Sequence, residues 1–229
     1  MFGRRLINTQ QGGGCTTDTL QILGDTSCIA TYRLNGDATD LSGNYNGTAT
    51  SVTYVSGLFG SAGSFNGSSS TLVVPHSTVF NTSNSFSISV WAYRASTAER
   101  MVAFKGTSAN QAWFFGYSDQ YGYYFFDYGT VGYVRSGTGV TSLNVWENVI
   151  LTWNAVTKTA SIYINGADES NTVVVGGGSG TTSTTDFNIG SYMSYTTWSA
   201  WYGQLDQVRI FNKAITSTEV TTLYNEVAC

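Results

Sequence analysis

Alternation with a period of two organises most of this chain. Between 205 and 211, Leu205, Gln207, Arg209 and Phe211 fall on one side of a strand, and Asp206, Val208 and Ile210 on the other. The period then changes. Thr216-Ser217-Thr218-Glu219-Val220 opens a short helix in which Thr216 caps the first turn and Glu219, three residues on, reaches back to complete a capping box. Residues 86–91 and 146–153 alternate in the same way, and shorter runs at 72–74, 101–105, 112–117, 123–127 and 132–136 read as further strands between turn signals. Gly176-Gly177-Gly178-Ser179-Gly180 reads as a flexible loop between two strands. The pattern predicts an all-β domain closed by one helical turn.

Six segments carry a family resemblance in the right order. Tyr32-Arg33-Leu34-Asn35-Gly36-Asp37 runs into an Asp40-Leu41-Ser42-Gly43 turn, and Gly63-Ser64-Phe65-Asn66-Gly67 is a short strand ending in a Phe-x-Gly turn. Phe86-Ser87-Ile88-Ser89-Val90-Trp91 is a central strand ending in Trp. Trp146-Glu147-Asn148-Val149-Ile150-Leu151-Thr152-Trp153 and Ser161-Ile162-Tyr163-Ile164-Asn165-Gly166 form a hairpin, and Phe187-Asn188-Ile189-Gly190 precedes the last strand. Together these resemble the laminin-G-like branch of the concanavalin-A-like lectin and glucanase superfamily, over about 28–224. The resemblance implies a two-sheet antiparallel jelly-roll sandwich with a short C-terminal helix. It does not fix the role, because this fold carries lectins, adhesins, hydrolases and structural modules.

Composition narrows the role. Of 229 residues, 41% are hydrophobic and 14% aromatic, which is enough for one substantial core. Only 10% are charged, against roughly 25% in an ordinary soluble domain, so Ser, Thr, Asn, Gln and Tyr must supply the polar surface. Such surfaces suit contact with sugars or protein partners. A net charge of -4 with no basic cluster beyond Arg4-Arg5 argues against nucleic acid, and no apolar run is long enough to span a membrane. The opening Met1-Phe2-Gly3-Arg4-Arg5 leads into a polar, Gly-rich stretch that does not read as a signal peptide, so synthesis in a host cytoplasm is expected.

Two parts are expected: an arm over residues 1–27, broken by Gly12-Gly13-Gly14, and one domain over 28–229. The arm reads as an attachment segment, for contacts with neighbouring subunits in a multi-copy assembly or for pairing along its own sandwich edge. The 3 cysteines are Cys15, Cys28 and Cys229. Free thiols are the first expectation, with a bridge from Cys229 to Cys28 or Cys15 left open.

Chemistry is sparse. Glycoside hydrolysis needs two carboxylates about 5–10 Å apart across a groove. Here the acids are scattered, at Asp119, Asp127, Glu147, Glu219 and Glu226, so no enzymatic activity is expected. His76, the only histidine, reads as a turn residue in water. Asp37, Asp40 and Asn44 share one turn whose oxygens suit calcium. The family resemblance pairs Asp40 with Asp206 as candidate ligands of a structural calcium; the alternative is that both are turn formers. Aromatic residues crowd 113–133, where Phe114, Phe125 and similar positions are read as core packing. Tyr121, Tyr195 and Trp198 sit in predicted loops with polar neighbours and are the candidate ligand-binding residues. The resulting expectation is a non-enzymatic virion structural protein, of bacteriophage type by resemblance. It displays a lectin-like domain and attaches to other virion proteins through its arm. The alternative is a carbohydrate-binding adhesion module that recognises host cell-surface glycans.

Overall fold

The computed structural model describes residues 20–98, 100–107, 111–118, 122–128, 132–175, 182–192 and 200–226. Within them the strands are β1 (Cys28–Tyr32), β2 (Thr48–Thr50), β3 (Thr53–Ser56), β4 (Ser61–Asn66), β5 (Thr71–Val74), β6 (Phe86–Arg94), β7 (Arg100–Gly106) and β8 (Gln111–Ser118). The second half adds β9 (Tyr123–Asp127), β10 (Gly132–Ser136), β11 (Trp146–Asn154), β12 (Thr159–Ile164), β13 (Ala167–Asp168), β14 (Ser170–Val175), β15 (Phe187–Ile189), β16 (Tyr202–Phe211) and the helix α1 (Ser217–Tyr224). All pairings are antiparallel. The first sheet has the order β13-β12-β11-β6-β16-β4-β3, with β1 also on β16; the second has the order β14-β10-β9-β8-β7-β15-β5-β2. This is the expected two-sheet sandwich, and the strands read from alternation form close to their expected bounds.

Inward-facing side chains of both sheets make one core. Val90, Val149, Leu151 and Ile210 come from the first sheet, and Trp113, Phe115, Phe126 and Ile189 from the second. Buried ring donors are satisfied: Trp113 Nε1 donates to Phe80 O at 2.7 Å and Trp153 Nε1 to Thr82 O at 2.9 Å. The Phe-x-Gly turn works through Asn66, whose Oδ1 accepts from the amides of Ser68, Ser69 and Ser70, while Gly67 takes φ +75°.

The last strand departs from strict alternation. Gln207 has φ +48°, and the register with β6 shifts between Asp206 and Arg209. This bulge resets the phase. Leu205, Val208 and Ile210 face the core, whereas Phe211 joins a second apolar cluster on the outer side of the first sheet with Cys28, Ile150, Ile215, Val220 and Leu223. Leu205 and Phe211 therefore do not share a face, because one extra residue intervenes.

That second cluster is roofed by α1. Its capping box forms as the sequence predicts: Thr216 Oγ1 accepts from Glu219 N, and Glu219 Oε2 accepts from Thr216 N at 2.7 Å. A buried pair clamps the chain end, with Arg209 donating to both Glu226 oxygens at 3.2 and 2.7 Å. Trp91 Nε1 also donates to Glu226 Oε1, and the Trp91 ring stacks on Tyr224. Residues 20–27 belong to this packing. Leu20, Ile22 and Leu23 lie against the cluster, and Asp25 pairs with Lys213 at 2.5 Å. The folded unit thus starts at least eight residues before Cys28, and residues 1–19 of the expected arm lie outside the described residues. Cys28 is a buried free thiol; Cys15 and Cys229 also fall outside the described residues.

Candidate functional site

The outward side of the second sheet holds the most distinctive chemistry. Core positions on its strands are Leu72, Val74, Phe115, Phe126, Val134 and Ile189. Their neighbours in sequence must point the other way. Direct Cα partners across six strands then form one outward row: Val73, Asn188, Phe104, Phe114, Asp127 and Tyr133. A parallel row places Phe125 between Gly116 and Arg135. Phe114 and Phe125 meet edge-on at 5.4 Å between ring centres and are half-buried. Phe104 is fully buried because the Tyr192 ring covers it at 4.4 Å. The guanidinium of Arg135 lies 4.2 Å from the Tyr133 ring centre and 5.3 Å from that of Tyr123.

Aromatic edges and faces beside a carboxylate and a guanidinium are the groups that dock a sugar's C–H face and hydroxyls. Phe114 and Phe125, expected as core, are therefore outward residues. Strands reading Trp-Phe-Phe-Gly-Tyr and Tyr-Tyr-Phe-Phe-Asp are aromatic on both sides, so hydrophobicity alone could not set their phase. Asp127, two residues from Phe125, was the available signal, since both must share a face. The expected ligand residues Tyr121, Tyr195 and Trp198 all lie outside the described residues.

The two candidate calcium ligands organise separate loops. Asp40 Oδ1 accepts from Thr31 N at 2.8 Å and Ser42 N at 3.1 Å, and Oδ2 from Tyr45 N at 3.1 Å and from Ser42 Oγ. Four donors fill this carboxylate. Asp206 Oδ2 accepts from Leu58 N at 3.1 Å and Phe59 N at 3.0 Å, while its buried Oδ1 has no partner. Burial pushes the Asp206 carboxyl up to about 7. Asp37 Oδ1 accepts from Thr39 N at 2.9 Å, within the same turn. Among the described residues, no three acidic, histidine or cysteine side chains converge. Calcium takes 6–8 oxygens, so this donor set does not fit it and matches the turn-forming alternative.

His76 is not simply a turn residue in water. It is half-buried, with Nδ1 3.1 Å from Lys105 Nζ, and Lys105 also donates to Thr185 O at 2.7 Å. Burial lowers the Lys105 ammonium to about 8. Glu147 points between the sheets, where Oε2 accepts from Thr141 Oγ1 at 2.6 Å and Oε1 from Ser142 N at 2.7 Å. Desolvation raises its pKa, and Arg94 beside it opposes the shift. Among the described strand residues of the second sheet, Asp127 is the only carboxylate.

A two-sheet jelly roll whose outer face carries rings and hydrogen-bonding groups is a lectin-like fold. A family model described as the concanavalin A-like lectin/glucanases superfamily, Laminin_G_3, matches residues 66–221, and the chain belongs to that family. No curated protein matches it in sequence. Among solved structures, domain 4 of AbnA, an extracellular GH43 arabinanase from Geobacillus stearothermophilus in complex with arabinotriose, aligns with a TM-score of 0.62 at 21% identity, covering 87% of this chain and 98% of that domain. The binding domain of Paraclostridial Mosquitocidal Protein 1 aligns at 0.67 and 21%, covering 86% of this chain and 51% of that one. Trypanosoma rangeli sialidase with 2,3-difluorosialic acid aligns at 0.65 and 16%, covering 87% of this chain. This chain spans only 33% of the sialidase. At these identities the likeness is one of fold.

Proposed function

We propose that this domain is a non-catalytic, lectin-like module of a virion, which recognises cell-surface glycans on the outward side of its second sheet. The observation that carries the reading is the outward set Phe114, Phe125, Asp127 and Tyr133, which combines half-buried rings with a carboxylate. Among the described strand residues of the second sheet, Asp127 supplies hydroxyl acceptance with no facing acid of the kind that hydrolysis requires. Glu147 does not complete a pair there, because it is buried between the sheets and held by Thr141 and Ser142. The neighbour in complex with arabinotriose, matched over 98% of its length, supports a sugar ligand by analogy. Placement on a virion, as capsid decoration, head fibre or tail component, is supported by the low charge and the polar, Gly-rich first 19 residues, which attach the module to other virion proteins.

A glycan array probed with the full chain and with Phe114→Ser tests the recognition. The wild type should bind a defined subset of glycans, and the variant should lose about tenfold or more in affinity, in line with one stacked ring. Equal binding by both proteins would remove this face from the account. Co-sedimentation with assembled particles tests the display: protein lacking residues 1–19 should stay in the supernatant.

A further inference from the structure

The guanidinium of Arg135 is held in an unusual way for a residue on a sheet face. Both neighbouring rings, Tyr133 and Tyr123, lie within cation–π distance. No carboxylate of the described residues lies within ion-pair distance of it. Asp127, on the same side and one strand over, faces Tyr133 and Phe114 in the register, while Arg135 faces Phe125. Rings at these distances hold the guanidinium by its charge and use none of its N–H donors. That fork matches the two oxygens of a carboxylate or sulfate, and it is preorganised, so little rotamer freedom is lost on binding.

We propose that the glycan recognised by this face carries an oxyanion, and that Arg135 holds that group while Phe125 and Phe114 take the sugar ring and Asp127 accepts hydroxyls. The proposal rests on the lectin-like reading of the second sheet. The ligand class is thus an acidic saccharide, carboxylated or sulfated. Asp127 is placed off the Arg135 register position, so it does not face the oxyanion directly.

The test compares matched neutral and acidic saccharides on the intact protein by calorimetry. Cellotriose and its uronic-acid counterpart form one pair, lactose and its sulfated counterpart another, and the two pairs distinguish carboxylate from sulfate. One acidic member should bind about tenfold tighter than its neutral partner, with a preference that shrinks as salt is added. In Arg135→Gln the ratio should fall towards one, and Arg135→Lys should retain only part of it because a point charge cannot pair bidentately. Lys158→Gln, in the turn between β11 and β12, removes the same net charge and should leave the ratio intact. Identical melting of Arg135→Lys and wild type keeps the comparison valid where Arg135→Gln is poorly folded. Neutral saccharides bound as tightly as acidic ones would overturn this inference and leave the lectin reading standing. Binding of no saccharide at all would overturn both.

Discussion

Asp206 makes a prediction with a definite sign. Its side chain is fully buried, two backbone amides serve Oδ2, and Oδ1 has no partner. Burial raises the carboxyl from the ordinary 3.8 to about 7. A carboxyl raised on folding is protonated in the folded chain and ionised in the unfolded one between those values, so folding takes up a proton. Stability from this group is therefore greatest at low pH and declines as pH rises from about 4 to about 7. At ~1.36 kcal/mol per pKa unit, the two units from pH 5 to pH 7 correspond to a loss of about 2–3 kcal/mol. For a chain of this size that is a Tm lowered by roughly 5–10 °C. Asp206→Asn keeps an acceptor for Leu58 and Phe59 and never carries the charge. Differential scanning calorimetry of both proteins at pH 5 and pH 7 isolates the effect from other carboxylates, Glu147 included. The variant should lose less stability over this interval than the wild type by the stated amount, and should be the more stable protein at pH 7. A wild type as stable at pH 7 as at pH 5 relative to the variant would mean that folding does not raise the Asp206 carboxyl. It would also reopen calcium ligation, which would hold Asp206 ionised.

Three further outcomes follow from the packing. A chelator should leave Tm unchanged at pH 7, since the Asp40 carboxylate already accepts four protein donors; a chelator-dependent drop would restore the calcium expectation. Arg209→Met should lower stability by about 3–5 kcal/mol in denaturant melts by stranding buried Glu226, and pairing it with Glu226→Leu should recover much of the loss. Removing residues 1–19 should preserve near-ultraviolet circular dichroism and Tm. Extending the deletion to residue 27 should cost about 2–4 kcal/mol, because Leu20, Ile22 and Leu23 leave the α1 cluster and Lys213 loses Asp25.

Where one face is apolar and the other polar, the sequence was readable. In β6 and β11 the period of two marks the strands, and Thr216 with Glu219 marks the start of α1 almost to the residue. The phase of β16 was not readable past Asp206. Its bulge depends on Gln207 adopting φ +48°, a conformation that Gln does not advertise. In β8 and β9 both faces are aromatic, so burial gave no alternation and the outward Phe114 and Phe125 passed for core. Asp40 and Asp206 were legible as important acids, but not as saturated or desolvated ones. Their roles depend on amides of Thr31, Leu58 and Phe59, which only the fold brings to them. Residues 20–27 gave no periodic signal because they pack as irregular chain.

Mapping a bound saccharide onto the backbone shows whether the outward side of the second sheet is the binding face. Isotope-labelled protein is titrated with the tightest glycan found on the array, and amide shifts are followed residue by residue. The largest changes should fall on β7 to β10, centred on Phe114, Phe125, Asp127 and Arg135. Changes centred instead on the outer side of the first sheet, at Trp91, Asp206 and α1, would contradict that placement.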